Sequence, residues 1–150
     1  MLKYYNYDIV FQEIPDEVTL AVNLTNCPHR CVGCHSPHLH LDTGHVLDDD
    51  TMDKLLDRYG RQITCVCFMG GDRTPKEVEA MARRLHEQTK LKVAWYSGND
   101  TMPRNAKQFD YVKVGGFKPE LGGLRSRTTN QRLYRTVNGK TVDITERFWK

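Results

Sequence analysis

Apolar positions fall into short runs of strand length, separated by stretches with helical spacing. Val18-Thr19-Leu20-Ala21-Val22-Asn23-Leu24 is rich in apolar and β-branched residues and predicts a buried strand that hands over to a cysteine cluster. Asp48-Asp49-Asp50-Thr51 then opens a helix whose Met52, Leu55, Leu56 and Tyr59 share one face, with Gly60 ending it. Ile63-Thr64-Cys65-Val66-Cys67-Phe68 predicts a second strand, followed at once by Met69-Gly70-Gly71-Asp72-Arg73. Thr74 as N-cap, Pro75 at the first helical position and Glu77 completing a capping box predict a helix over 75–89, with Val78, Met81, Ala82 and Leu85 as its apolar stripe.

The pattern repeats further along. Leu91 to Tyr96 predicts a third strand leading into Ser97-Gly98-Asn99-Asp100, residues 103–109 a short helix, and Tyr111-Val112-Lys113-Val114 a fourth strand leading into Gly115-Gly116-Phe117. After a polar loop from Arg125 to Asn130, Leu133 to Val142 predicts a hairpin turning at Asn138-Gly139. The tail carries Phe148 and Trp149, aromatics expected to pack on the domain. Strands alternating with helices imply an α/β fold with a parallel sheet, in which ligands sit at the carboxyl ends of the strands. Each unusual loop here lies at such an end.

Length and composition narrow the class. At 150 residues the chain is expected to form a single domain over 1–150. Its 39% hydrophobic and 27% charged content is that of a compact globular protein and excludes collagen-like and disordered classes. The net charge of +3 falls short of a nucleic-acid footprint. No apolar stretch approaches the roughly 20 residues of a membrane helix, and the first residues lack the apolar core of a secretory signal, so the expectation is a cytoplasmic protein with no membrane or nucleic-acid partner.

The chemistry concentrates in Cys27-Pro28-His29-Arg30-Cys31-Val32-Gly33-Cys34, spaced C-x3-C-x2-C. Five cysteines is an odd count, and three crowded into one loop read poorly as a disulfide framework. Three thiolates on one loop suit three irons of a 4Fe-4S cluster, leaving a fourth iron open to a ligand. The alternative is a non-catalytic Cys3His zinc or iron-sulfur module, with His35, His38 or His40 as fourth ligand, although zinc sites usually come as paired cysteine arms and this is a single arm. His38, His40 and His45 otherwise read as polar loop residues. Cys65 and Cys67, two apart on a strand, point to one face and read as reduced core thiols.

In spacing and in position after the first predicted strand, Cys27, Cys31 and Cys34 resemble the signature of the radical S-adenosylmethionine superfamily. Gly33-Cys34-His35 resembles the variant found in activating proteins of anaerobic ribonucleotide reductase, which carry Gly-Cys followed by an aromatic. Met69-Gly70-Gly71-Asp72 resembles the superfamily's Gly-Gly-Glu/Asp loop, and Ser97-Gly98 the activases' Thr/Ser-Gly loop. Val112 to Phe117 and Arg125 to Leu133, with the core Thr128-Thr129-Asn130-Gln131, resemble the activase C-terminal segment. Two departures stand out. Glu13-Ile14-Pro15-Asp16-Glu17 occupies the place of a Gly-Pro-Gly turn with an Arg, and Lys113 stands in a segment where other members put an acidic residue.

The resemblance implies an open, partial (β/α) barrel of the radical S-adenosylmethionine type with a C-terminal loop and hairpin extension, since 150 residues are too few for the eight-unit barrel of about 250. It implies Cys27, Cys31 and Cys34 as cluster ligands and catalytic centre, and a cofactor site for S-adenosylmethionine at Gly33, Cys34, His35, Gly70, Gly71, Asp72, Ser97 and Lys113. In that site Gly70 and Gly71 carbonyls with the Asp72 charge would receive an ammonium, and Ser97 and Lys113 would face a carboxylate. The implied activity is reductive cleavage of S-adenosylmethionine, the 5′-deoxyadenosyl radical removing hydrogen from a glycine of the reductase to leave a glycyl radical. The implied partners are the anaerobic ribonucleoside-triphosphate reductase and a one-electron donor such as flavodoxin. A small radical enzyme acting on a nucleobase-like substrate is a further reading, disfavoured by the Thr-Thr-Asn-Gln segment.

Overall fold

The computed structural model describes residues 2–25, 45–104 and 106–149. These residues form one mixed sheet with two helices, in the chain order β1 (Lys3–Val10), β2 (Thr19–Leu24), β3 (His45–Val46), α1 (Asp49–Tyr59), β4 (Cys65–Met69), α2 (Pro75–Gln88), β5 (Lys92–Tyr96), β6 (Tyr111–Val114), β7 (Arg132–Val137) and β8 (Lys140–Asp143). Across the sheet the order is β3-β1-β2-β4-β5-β6-β7-β8. The middle strands β2, β4, β5 and β6 run parallel, while β1, β3, β7 and β8 extend the sheet antiparallel on both sides.

The four predicted parallel strands are the centre of the sheet, and the antiparallel flanks are additions to it. β1 was not expected from its pattern, because Tyr5, Asn6 and Asp8 leave it half polar. It forms because Tyr4, Tyr7 and Ile9 pack on the core while its backbone pairs with β2, with an irregularity between Tyr4 and Asn6. The hairpin turns where expected, with Asn138 at φ +50° and Gly139 at φ +77°, the left-handed pair that a tight two-residue turn requires. In place of the expected helix over 103–109, the described residues there form a 3-10 turn, Ala106–Gln108, which seats the buried Phe109 ring 5.3 Å from that of Trp95.

Along the central strands the side chains alternate between two layers. Leu20, Val22, Val66, Phe68, Val93 and Trp95 face α1 and α2 in the main core. The helices contribute Met52, Leu55, Val78, Met81 and Leu85, and Arg84 joins the two with hydrogen bonds of 2.8 and 3.1 Å to the Asp53 carboxylate. Asp48 caps α1, accepting from Thr51 N at 2.9 Å. The expected capping box at α2 does not form: Thr74 makes no side-chain cap bond, and its backbone N–H is drawn back to Gly71 O at 3.0 Å. The opposite layer is smaller and built from Ile14, Cys65, Cys67, Ala94, Tyr111 and Leu133.

Candidate functional site

The carboxyl ends of β4, β5 and β6 are tied together by their loops. Gly70 and Gly71 follow β4 at φ +102° and +89°, a backbone that L side chains rarely adopt. A Cβ on Gly71 would stand 2.7 Å from Val78 Cγ2 and 2.8 Å from Leu24 Cδ1, so the glycine also allows the loop to sit tightly on the core. The buried Trp95 indole donates to Gly70 O at 2.6 Å, and Gly70 N donates to Tyr96 O at 2.9 Å. A buried Trp on a strand needs an acceptor for its N–H, and that requirement was the available sign of its role here.

Asp72 faces the loop after β5. It accepts from Ser97 Oγ at 2.6 Å, Gly98 N at 2.9 Å and Asn99 Nδ2 at 3.4 Å. Lys113, 8% exposed on β6, donates to Ser97 O at 3.0 Å and Gly115 O at 3.1 Å and lies 5.3 Å from the centre of the Tyr96 ring. Two carbonyl dipoles and an aromatic face are what allow an ammonium to remain out of water there. Thus Gly70, Gly71, Asp72, Ser97 and Lys113 are brought to one end of the sheet.

Thr128 to Gln131 holds this end from outside. Thr128 Oγ1 donates to Leu121 O at 2.7 Å and Thr129 Oγ1 to Gly122 O at 3.1 Å. Asn130 Nδ2 donates to Gly116 O at 3.1 Å and Gln131 Nε2 to Gly115 O at 3.3 Å. Gly115, at φ +101°, would bring a Cβ within 3.1 Å of Gln131 Cα, so the segment lies directly on the β6 loop. The neighbouring arginines also turn to the chain itself: Arg125 to Gln12, Arg127 to Trp149 O, Arg132 toward Asp143 and Arg135 over the Tyr111 ring.

An open cavity of about 640 Å³ lies on the face away from the helices, at the same end of the sheet. Met69, Tyr96 and Lys113 line it from the strands, Glu13 from the loop before β2, and Leu124, Gln131 and Phe148 from the C-terminal part of the chain. The tail aromatics pack as expected: Phe148 borders the cavity, and Trp149 Nε1 donates to Leu124 O at 2.9 Å. Tyr96 donates its hydroxyl to Glu13 O, and burial pushes its phenol pKa well up. Glu13 was missed in the sequence because it stands in the stretch that departs from the resembled motif.

Cys65 and Cys67 are buried free thiols in the smaller layer, and Cys67 Sγ lies 3.4 Å from Met69 Sδ. Desolvation pushes both thiol pKa values up, which keeps them unreactive. Among the described residues no group of three or more His, Cys, Asp or Glu side chains is placed to hold a metal ion.

Cys27, Cys31, Cys34, Gly33 and His35 lie outside the described residues. The strand that delivers them is described: β2 ends at Leu24, whose carbonyl oxygen lies 3.5 Å from the place a Gly70 Cβ would take. β2 therefore ends next to the Gly70-Gly71 loop. As a donor set, three thiolates fit three irons of a cubane cluster.

No helix among the described residues is long and apolar enough to cross a membrane. No curated protein and no solved structure matches the chain. A family model described as a 4Fe-4S single cluster domain matches residues 18–113, a span that runs from the start of the first parallel strand through the cysteine triplet, the glycine loop and Ser97 to Lys113. The chain belongs to the family of 4Fe-4S single cluster domains.

Proposed function

We propose that this domain is a radical S-adenosylmethionine enzyme that activates an anaerobic ribonucleoside-triphosphate reductase. The observation that carries the reading is the hydrogen-bonded cluster of the Gly70-Gly71-Asp72 loop, the Ser97 loop and Lys113 at the carboxyl ends of β4, β5 and β6, beside the end of β2 that precedes the cysteine triplet in the chain, with Met69, Tyr96 and Lys113 lining a cavity next to it. The four parallel strands with their C-terminal hairpin are read accordingly as an open, partial (β/α) barrel.

Cys27, Cys31 and Cys34 would hold the cluster as thiolates and leave one iron without a protein ligand. When bound, the cluster supplies one electron for the cleavage of S-adenosylmethionine to methionine and a 5′-deoxyadenosyl radical, which takes hydrogen from a glycine of the reductase. The remaining work is that of the chain. Gly70 O and Gly71 O accept hydrogen bonds from Trp95 Nε1 and Thr74 N, and the second lone pair of each carbonyl would receive a ligand ammonium. Lys113, held by two carbonyls, supplies positive charge at the cavity wall for a ligand carboxylate. Leu124, Phe117 and Phe148 line the cavity with apolar surface that keeps water from a reactive species, while the open side admits a segment of another protein.

The test is anaerobic reconstitution with iron and sulfide, reduction by dithionite or a one-electron donor such as flavodoxin, and addition of S-adenosylmethionine and the reductase. The expected result is an electron paramagnetic resonance doublet of a glycyl radical on the reductase, formed with equimolar 5′-deoxyadenosine. Formation of 5′-deoxyadenosine with no radical on the reductase would replace the partner, and absence of both would make the domain a non-catalytic iron-sulfur module.

A further inference from the structure

We infer that Asp72 is a positioning residue: through Ser97 and Gly98 its carboxylate sets the gap between the glycine loop after β4 and the loop after β5, and thereby the affinity of the cavity for a ligand carrying an ammonium and a carboxylate. This rests on the reading of the cavity as the S-adenosylmethionine site. A carboxylate after two glycines suggests a direct partner for the ammonium. Instead, Oδ1 accepts from Ser97 Oγ at 2.6 Å and from Asn99 Nδ2 at 3.4 Å, and Oδ2 accepts from Gly98 N at 2.9 Å. Hydrogen bonds to an ionised acceptor are roughly twice as strong as neutral ones, so three of them fix one loop to the other.

Both sides of this clamp need it. Asp72 follows two residues with no side chain, at φ +102° and +89°, whose loop without a tether has more conformations to lose when a ligand binds. Ser97 is 1% exposed, so its hydroxyl has no water to turn to. The same hydroxyl accepts from Asn99 N at 3.0 Å, Asn99 O accepts from Gly115 N at 2.6 Å, and Ser97 O accepts from Lys113 Nζ at 3.0 Å. A shift of the Asp72–Ser97 pair therefore displaces Lys113, which lines the cavity, as well as the glycine loop that follows the lining residue Met69. Asp72 and Ser97 act as one unit, and their effects on binding are not additive.

Asp72→Asn keeps the size of the side chain but sets an amide donor against the Gly98 N–H or the Ser97 hydroxyl, and Ser97→Ala removes one donor outright. The dissociation constant for S-adenosylmethionine and the iron content per chain are measured on the anaerobically reconstituted protein, the two single variants and the double. Each single variant is expected to bind about tenfold more weakly and the double within about twofold of the weaker single, with iron per chain unchanged. An additive loss of about a hundredfold in the double variant means that Asp72 touches the ligand independently of Ser97 and overturns the inference, as do single variants that bind like the wild type. Hydrogen exchange at the Gly98 amide reads the clamp without any ligand: slow in the wild type and at least about tenfold faster in Asp72→Asn. Fast exchange at Gly98 in the wild type also overturns the inference. A wild type that fails to bind S-adenosylmethionine while Gly98 stays protected overturns the functional reading and leaves the clamp in place.

Discussion

The two faces of the central sheet are made by the same strands and differ in what they leave behind. Toward α1 and α2, β4 and β5 present Val66, Phe68, Val93 and Trp95, large side chains that fill the space between sheet and helices. Toward the other side the same strands present Cys65, Cys67 and Ala94, small side chains buried among Ile14, Tyr111 and Leu133, and at their carboxyl ends Met69 and Tyr96, which line an open cavity of about 640 Å³. The amino end of that second face is closed. There the buried Glu17 accepts from Thr64 Oγ1 at 2.7 Å, Lys92 Nζ at 2.8 Å and Tyr111 OH at 2.8 Å. One face is sealed by hydrophobic volume, and the other is pinned shut at one end and open at the other, where Lys113 and Gln131 line the cavity and hydrogen-bond to the carbonyls of the flanking loops. The second face thus opens where its small buried layer ends, at Met69, Tyr96 and Lys113.

The largest effect is expected on the sealed face. Phe68→Ala removes a fully buried ring between sheet and helices and should cost about 3–5 kcal/mol of unfolding free energy in denaturant titration. A loss below about 1 kcal/mol would mean that this face is not the close-packed one. Next comes Gly71→Ala, where the added Cβ meets Val78 and Leu24 and the backbone is left-handed; a loss of about 2–3 kcal/mol is expected, with weaker ligand binding at the cavity.

The closed end of the second face sharpens the comparison through pH. Burial pushes the Glu17 carboxyl up, but hydrogen bonds from Lys92, Thr64 and Tyr111 outweigh it and hold its pKa below the ordinary value. Its stabilising contribution is therefore present above the unfolded pKa of about 4.3 and is lost as pH falls through the lower folded value. Glu17→Gln should lose about 1–3 kcal/mol at pH 7 and progressively less below pH ~4, read from urea midpoints across pH. A gap that stays constant on acidification would show that the carboxylate charge is not what pins this end. The smallest effect belongs to Trp95→Phe, which keeps most of the packing and removes the indole donor to Gly70 O; a loss of about 1 kcal/mol is expected, together with faster amide exchange at Gly70.

The central part of this architecture is legible in the residues because parallel strands buried on both faces appear as unbroken apolar runs, and α1 and α2 carry a clear helical stripe. β1 is not, since Tyr5, Asn6 and Asp8 face away from the core and only its pairing with β2 makes it a strand. At the site, the glycines and the strand-end loops stand out by type, whereas their partners do not. Nothing local in Asp72 says that its acceptors are spent on Ser97 and Gly98, residues 25 and 26 positions away in the chain. Thr128 to Gln131 reads by itself as part of a polar loop, yet its side chains hold Gly115, Gly116, Leu121 and Gly122, contacts that exist only once β6 and β7 have paired.

The most direct test of the central claim is 5′-deoxyadenosine formed from S-adenosylmethionine by the reconstituted, dithionite-reduced protein, with Cys34→Ala and Cys65→Ala alongside. The account predicts 5′-deoxyadenosine from the wild type and from Cys65→Ala, and neither cluster nor product from Cys34→Ala. Equal iron loss in the two variants, or a fully loaded wild type that leaves S-adenosylmethionine intact, would contradict it.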